Sequence, residues 1–341
     1  MSSSCTFSFE VPRLVIVQPF DQAAGSGVCD HSRLLCEGLR ERGIAAVVHS
    51  LRDAAGRPNG AALPQAPQLL LQLSIYGYQR RGLPWALLPL LADARQRGTR
   101  VTVHFHETWV HRAPLLSSAR WLAPWQRQLC RSLLLLADLA VFNTLPAWNW
   151  GRSLVGARAV LVPSFSNVGE PATVPAFEAR PRRLVVFGGL AAKAAVYRRL
   201  GPALADLLRR GLLDEVLDIG PPGAAPRTTI AVSERGLLAP DEVSRLLLQS
   251  RFGAFNTPWG VATKSGVLAA YAAHGVVPVS TRDRPWVHPH PLGAYPARGV
   301  HFLAPADLAR LDLTRTAAMS LSVRAAYVPR GRLLDLLAGA G

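Results

Sequence analysis

The sequence predicts an α/β protein of two successive units, each a parallel sheet with crossover helices, and three observations carry that reading. The chain has 341 residues, about twice the roughly 150 of an ordinary domain. Short apolar runs alternate with stretches of helical spacing up to residue 163, and the alternation restarts at residue 183. Strands separated by helices return in the same sense and pair in parallel. Between the two series lie Gly169, Pro171, Pro175 and Pro181 with little periodicity, the composition of a linker. The boundaries drawn from this pattern are 1–170 for the first unit, 181–316 for the second, and 317–341 for a C-terminal helix bracing both.

The elements follow in order. Leu14 to Val17 is a strand closed by Gln18-Pro19, then Gly25-Ser26-Gly27 forms a turn into a helix from His31 to Arg42, stopped by Gly43. Ala45–His49 and Gln68–Leu73 are the next strands, Pro84–Gln96 a helix, and Arg100–Phe105 an alternating strand. Trp121, Trp125, Leu129 and Leu133 share a helix over Ser118–Leu136, with Arg120, Arg127 and Arg131 between them. Strands at Ala137–Asn143 and Ala159–Pro163 complete the first series. The second runs strand Arg183–Phe187, turn Gly188-Gly189, helix Val196–Arg210 and strand Glu215–Ile219. Helix Pro240–Gln249, strand Phe252–Phe255, helix Ser265–His274 and strand Val276–Ser280 follow.

Composition limits the function classes. Hydrophobic residues make up 49% and charged residues 18%, enough apolar material for real cores and too little charge for a disordered chain. Cys5, Cys29, Cys36 and Cys130 form no CxxC pair, which argues against a zinc ribbon or a disulfide framework and for a reducing compartment. The opening residues lack the basic and apolar regions of a secretory signal, and no apolar run reaches the roughly 18 residues of a membrane span. The expectation is a cytoplasmic protein. The net charge is +16, almost all arginine, which suits phosphate recognition. The basic residues are dispersed and no nucleic-acid-binding module is present, so nucleic acid is not an expected partner.

Several clusters carry chemistry. Gly25-Ser26-Gly27 lies between strand and helix, where backbone amides meet anions, or it is a plain turn; it is not GxGxxG, since position 30 is Asp. His104, His106 and Glu107 end a strand at the edge where open α/β sheets place their sites. His104 and His106 share one face, but no third metal ligand of matching spacing follows. His106 and Glu107 are therefore read as polar substrate contacts and His104 as a core histidine. Lys193 and Arg198 could meet one anion if a loop precedes their helix; otherwise they lie on a solvated face, as does Arg199. Lys264, Ser265 and Gly266 open a helix, placing an ammonium, a hydroxyl and free amides together as a phosphate site, or else an ordinary capped helix start. The segment around His288 and His290 reads as a surface loop.

The segments GSGVCDHSRLLCEGLRERG, VVFGGL, GLLAPDEVSRLLLQSRFGAFNTP and KSGVLAAYAAHGVVPV, in this order, resemble the retaining GT4-like glycosyltransferases of the GT-B fold, two Rossmann-like domains with a cleft between them. The resemblance implies a nucleoside diphosphate sugar as co-substrate, no other cofactor, no metal, and a glycan, lipid-linked or small-molecule acceptor. It implies that Gly27 lies by the sugar and phosphate, and that His106 contacts the donor sugar. Lys193 would bind the diphosphate, although one position out of step, and Gly189 stands where an arginine is usual. Leu238 would meet the nucleobase through its backbone, and Lys264, Ser265 and Gly266 would hold the phosphates. The glutamate pair of that group falls on Ala262 and Ala270. A nucleotide-sugar epimerase of the same fold and an inactive binding subunit remain alternatives. Trp121, Trp125 and the arginines around them suggest peripheral contact with an anionic membrane, or a buried helix.

Overall fold

A computed structural model of the chain describes residues 11–20, 27–53, 57, 63–110, 117–225, 230–282 and 300–339. Cys5, Gly25, Ser26, His288 and His290 lie outside the described residues. The chain divides into two compact units, residues 1–162 with 331–341 and residues 163–330.

The first unit runs β1 (Leu14–Gln18), α1 (Gly27–Glu41), β2 (Ala46–Ser50), β3 (Gln68–Ser74), α2 (Ile75–Tyr78), α3 (Leu87–Gln96), β4 (Arg100–Glu107), α4 (Ser118–Leu136), β5 (Leu139–Phe142), α5 (Leu145–Val155) and β6 (Ala159–Leu161). Its six strands pair in the order β2-β1-β3-β4-β5-β6, every pair parallel. The alternation of each strand sends Val15, Leu71, Val103 and Phe142 into one apolar cluster with Leu91 of α3 and Leu129 and Leu133 of α4. Helix α1 starts at Gly27 rather than His31, one turn earlier than the sequence pattern marked. Gly43 ends it with φ 74°, and its amide donates to Arg40 O at 2.9 Å.

The second unit runs β7 (Arg183–Phe187), α6 (Leu190–Arg209), β8 (Glu215–Ile219), β9 (Val232–Gly236), α7 (Pro240–Leu248), β10 (Phe252–Phe255), α8 (Gly266–Ala273), β11 (Val277–Ser280), α9 (Pro305–Leu308) and α10 (Leu313–Ala325). Its strands pair β11-β10-β7-β8-β9, again all parallel. Apolar clusters cover both faces of this sheet, the burial that parallel sheets require. Strand β9 reads VSERG and is partly exposed at the sheet edge. It has no apolar alternation to announce it. The tail is two helices, α10 and then α11 (Arg330–Ala338), because Pro329 cannot continue a helix. Arg42 and Asp335 form an ion pair at 2.7 Å within the first unit.

The linker stretch has a structural task in the second unit. Arg180 is buried, and its guanidinium donates to Pro175 O, Ser250 O, His274 O and Gly275 O. The last three follow α7 and α8, where carbonyls lack intrahelical donors and the helix dipole favours a cation. Burial lowers the pKa of this guanidinium to about 10.

Candidate functional site

The chemistry of the second unit gathers at the carboxyl edge of its sheet. Strands β7 and β10 are neighbours, so the two helices that follow them, α6 and α8, begin side by side at that edge. A Cβ built on Gly188 would lie 3.6 Å from Val267 Cγ2 on α8, which measures how close the two loops come. Gly188 has φ 137° and Gly220, at the end of β8, φ 121°. A Cβ on Gly220 would sit 2.3 Å from Gly188 O, so only glycine fits there. The Gly220 amide donates to Gly236 O at 2.8 Å, at the end of β9. Three strand ends thus meet backbone to backbone.

Gly189 is the exposed N-cap of α6, and Ser265 is the N-cap of α8. Ser265 Oγ accepts from the Leu268 amide at 3.2 Å and from Thr257 Oγ1 at 3.3 Å. The amides of Gly266 and Val267, in the first turn, have no acceptor within the helix and lie at its positive end. A Cβ on Gly266 would meet Asn167 Oδ1 at 3.7 Å. Lys264 closes the 3-10 turn just before the cap and is half-buried. Leu238, half-buried, packs on the apolar cluster beneath the edge, while its neighbour Leu237 is 79% exposed. Asn167, Asn256 and Thr257 carry no motif and were not singled out by the sequence. Their only signal is position, next to a strand end or a helix start.

Lys193 departs from expectation. Helix α6 begins at Leu190, so no loop precedes it that could bring Lys193 and Arg198 together. Five residues separate them, about 140° around a helix. Arg198 is exposed, whereas Lys193 is fully buried. Its ammonium is paired with Asp218 of β8 and donates to Pro221 O at 2.7 Å. Tyr197 OH donates to the other oxygen of Asp218 at 2.6 Å. The lysine is a structural cation that anchors α6 on the sheet rather than one offered to a ligand. Arg199 is exposed and donates to Asn256 Oδ1 at 3.0 Å, just beyond β10. Ala262 and Ala270 are both buried in the apolar cluster, which gives the missing glutamates a packing reason.

The first unit holds a polar group at the same edge of its own sheet. Gly27 opens α1 and is exposed, with nothing within 4 Å of an added Cβ. Glu107 ends β4 half-buried and accepts from Ser74 Oγ at 2.9 Å. His106, expected to face a ligand, is 8% exposed, with Nε2 at 2.6 Å from Gln72 Oε1. It shares its strand face with His104, and that face packs on α1. His104 is buried as expected, and burial lowers its pKa to about 3. Farther along the unit, a groove of about 820 Å3 is lined by Arg120, Arg127 and Arg131 of α4 together with Trp109 and Trp150. The Arg127 guanidinium lies 5.5 Å from the Trp109 ring centre. Trp121 and Trp125 are 73% and 61% exposed, so they do not belong to the core. No described helix is long and apolar enough to cross a membrane.

No family model matches the chain, and no curated protein matches it. Solved structures do. An α,α-trehalose 6-phosphate synthase from Burkholderia multivorans is 12% identical with TM-score 0.57, covering 97% of this chain and 96% of that one. A putative UDP-N-acetylglucosamine 2-epimerase from Listeria monocytogenes is 12% identical with TM-score 0.56, over 96% and 95%. An α-glucosyltransferase solved with UDP and a 13-mer DNA is 10% identical with TM-score 0.55, over 96% and 99%. At such identities the likeness establishes architecture: the chain has the GT-B fold of two Rossmann-like α/β units.

The buried pair gives a direct prediction. Lys193→Ala leaves Asp218 buried without its cation and is expected to cost about 3–5 kcal/mol in urea unfolding. Combining Lys193→Met with Asp218→Asn removes both charges and should recover most of that loss.

Proposed function

We propose that this protein uses a nucleoside diphosphate sugar bound to the second unit and transfers the sugar to an acceptor bound by the first. The observation that carries the reading is the pair of helix starts at Gly189 and Gly266, opened side by side over strand ends that glycine lets close up. Two positive helix ends and their free amides suit a diphosphate. Lys264 supplies the ammonium in place of the buried Lys193. Leu238, with its exposed neighbour Leu237, forms the loop after β9 on which the nucleobase would rest.

The proposed chemistry follows from charge. As the bond from sugar to diphosphate breaks, negative charge grows on the leaving phosphate. Amides and a cation fixed in advance stabilise that charge more than they stabilise the bound donor. The GT4-like resemblance adds transfer with retention and neutralisation of the leaving group by protein groups. Glu107, half-buried at the end of β4, is the polar group of the first unit proposed to meet substrate. Neighbours solved with UDP, among them an α-glucosyltransferase and a Staphylococcus aureus MnaA, support a uridine or related donor.

Helix α4 supports a lipid-linked acceptor. Ser118–Leu136 contains no acidic residue, and it exposes two tryptophans beside three groove-lining arginines. Such a face suits anionic headgroups, with indole rings at the interface. The protein is proposed to float with vesicles containing anionic phospholipid at low salt, and Trp121→Ala with Trp125→Ala to reduce that binding. Equal recovery with neutral and anionic vesicles would contradict it.

Product analysis with a panel of UDP- and GDP-sugars tests the main reading. Transfer to a glycan, lipid-linked or small-molecule acceptor is the predicted class of result, and the acceptor panel identifies which. Conversion of the free donor in the absence of acceptor would make the protein an epimerase, and neither reaction would make it a binding subunit. Lys264→Ala is expected to weaken UDP binding by about tenfold or more in calorimetry. Unchanged affinity would remove Lys264 from the site.

A further inference from the structure

We propose that His31, His104 and His106 form a metal site within the first unit, taking one Zn2+ or a similar imidazole-preferring divalent ion. Each residue offers one ring nitrogen, and these three nitrogens lie within 4.8 Å of one another. The rings are in mutual contact, with centres 4.9 Å apart for His31 and His104, 4.8 Å for His31 and His106, and 4.0 Å for His104 and His106. Two histidines at i and i+2 of a strand point to one face. The third ligand that the sequence lacked comes from α1, 73 positions before His104 by the numbering. A tetrahedral ion with bonds of about 2.0–2.1 Å needs nitrogens about 3.4 Å apart. Small rotations of rings already in contact close that gap.

The surroundings of His104 favour an ion at the centre of the three rings. All three residues are more than nine-tenths buried. Neither ring nitrogen of His104 has a hydrogen-bond partner among the described residues. A buried polar group left so is costly, and coordination uses its lone pair.

Gln72, fully buried on β3, supplies the outer partner that metal-bound histidines usually have. Its Oε1 lies 2.6 Å from His106 Nε2 and its Nε2 3.3 Å from His31 Nδ1. Ligation through Nε2 of His31 and Nδ1 of His106 places an N–H on each nitrogen facing Gln72. A small turn of the amide lets its carbonyl oxygen accept both. Three neutral ligands leave the positive charge uncompensated and one position open, which a water or an anionic group would take. Imidazole ligands favour Zn2+, Cu2+, Ni2+ or Fe2+ over Mg2+ or Ca2+. The site is independent of the diphosphate site proposed above, which lies in the other unit.

The test uses the full chain stripped with chelator and titrated with Zn2+ against a chromophoric competitor, with Co2+ as a spectroscopic probe. The expected result is one tight equivalent and the intense visible bands of four-coordinate Co2+. His104→Phe should abolish both. Gln72→Leu, which keeps all three rings, should weaken binding by about 10–100-fold and serves if His104→Phe does not fold. The double variant His288→Asn with His290→Asn should bind as the parent does. No stoichiometric binding by the parent, a six-coordinate Co2+ spectrum, or affinity unchanged in His104→Phe or Gln72→Leu would overturn the proposal.

Discussion

A charged pair with no access to water, Lys193 on Asp218, fixes the geometry on which the second unit's site depends. Asp218 lies in β8 opposite Val186 of β7, and Lys193 sits in the first turns of α6. Their attraction in a low-dielectric interior, completed by Tyr197 and Pro221 O, holds the start of that helix over the ends of the two strands. Separating such charges exposes each to a desolvation penalty with nothing to offset it. The helix start therefore has little freedom to wander. The glycines at 188, 220 and 236 then let the strand ends close up beneath the helix starts.

The two units share a layout and use it differently. In the second, glycine backbone and helix starts meet at the carboxyl edge, and Lys264 lies just before the Ser265 cap. That is a surface for a flexible polyanion, whose oxygens can be met by amides. In the first, polar side chains turn inward from the same edge, and three imidazoles and Gln72 fill the space between β4, β3 and α1. Along α4 that unit displays Arg120, Arg127 and Arg131 with tryptophans beside them. On the proposed reading, the helix starts of one unit would meet the donor and the basic aromatic face of the other an acceptor of different chemistry.

The alternation of apolar runs with helical spacing made nearly every core strand legible, because a doubly covered parallel strand is a continuous apolar run. Strand β9 escaped because an edge strand need not be apolar, and VSERG is not. Helix α5 escaped because LPAWNWGRSLV places its apolar residues without a long period. The start of α6 was placed too late, and the error carried over to Lys193: a basic residue ahead of a helix looks available, while the same residue inside the first turn lies against the sheet. Nothing in the local sequence of Lys193 names Asp218 as its partner, since the pair is formed across a helix and a strand. Arg180 was hidden for the same reason, in a stretch that reads only as linker. His31 stood in plain view as a helix residue, but its proximity to His104 exists only once β1, β3 and β4 lie in order. The cap at Ser265 was legible because a helix start is a local event.

The central claim is that the paired helix starts of the second unit hold the diphosphate. Amide hydrogen exchange with and without UDP addresses it at the residues concerned. The account predicts slowed exchange at Gly189 and Leu190 and at Gly266 and Val267, with smaller change along α7 and β9. Saturating UDP that leaves both helix starts unprotected, or that protects only the first unit, would contradict it.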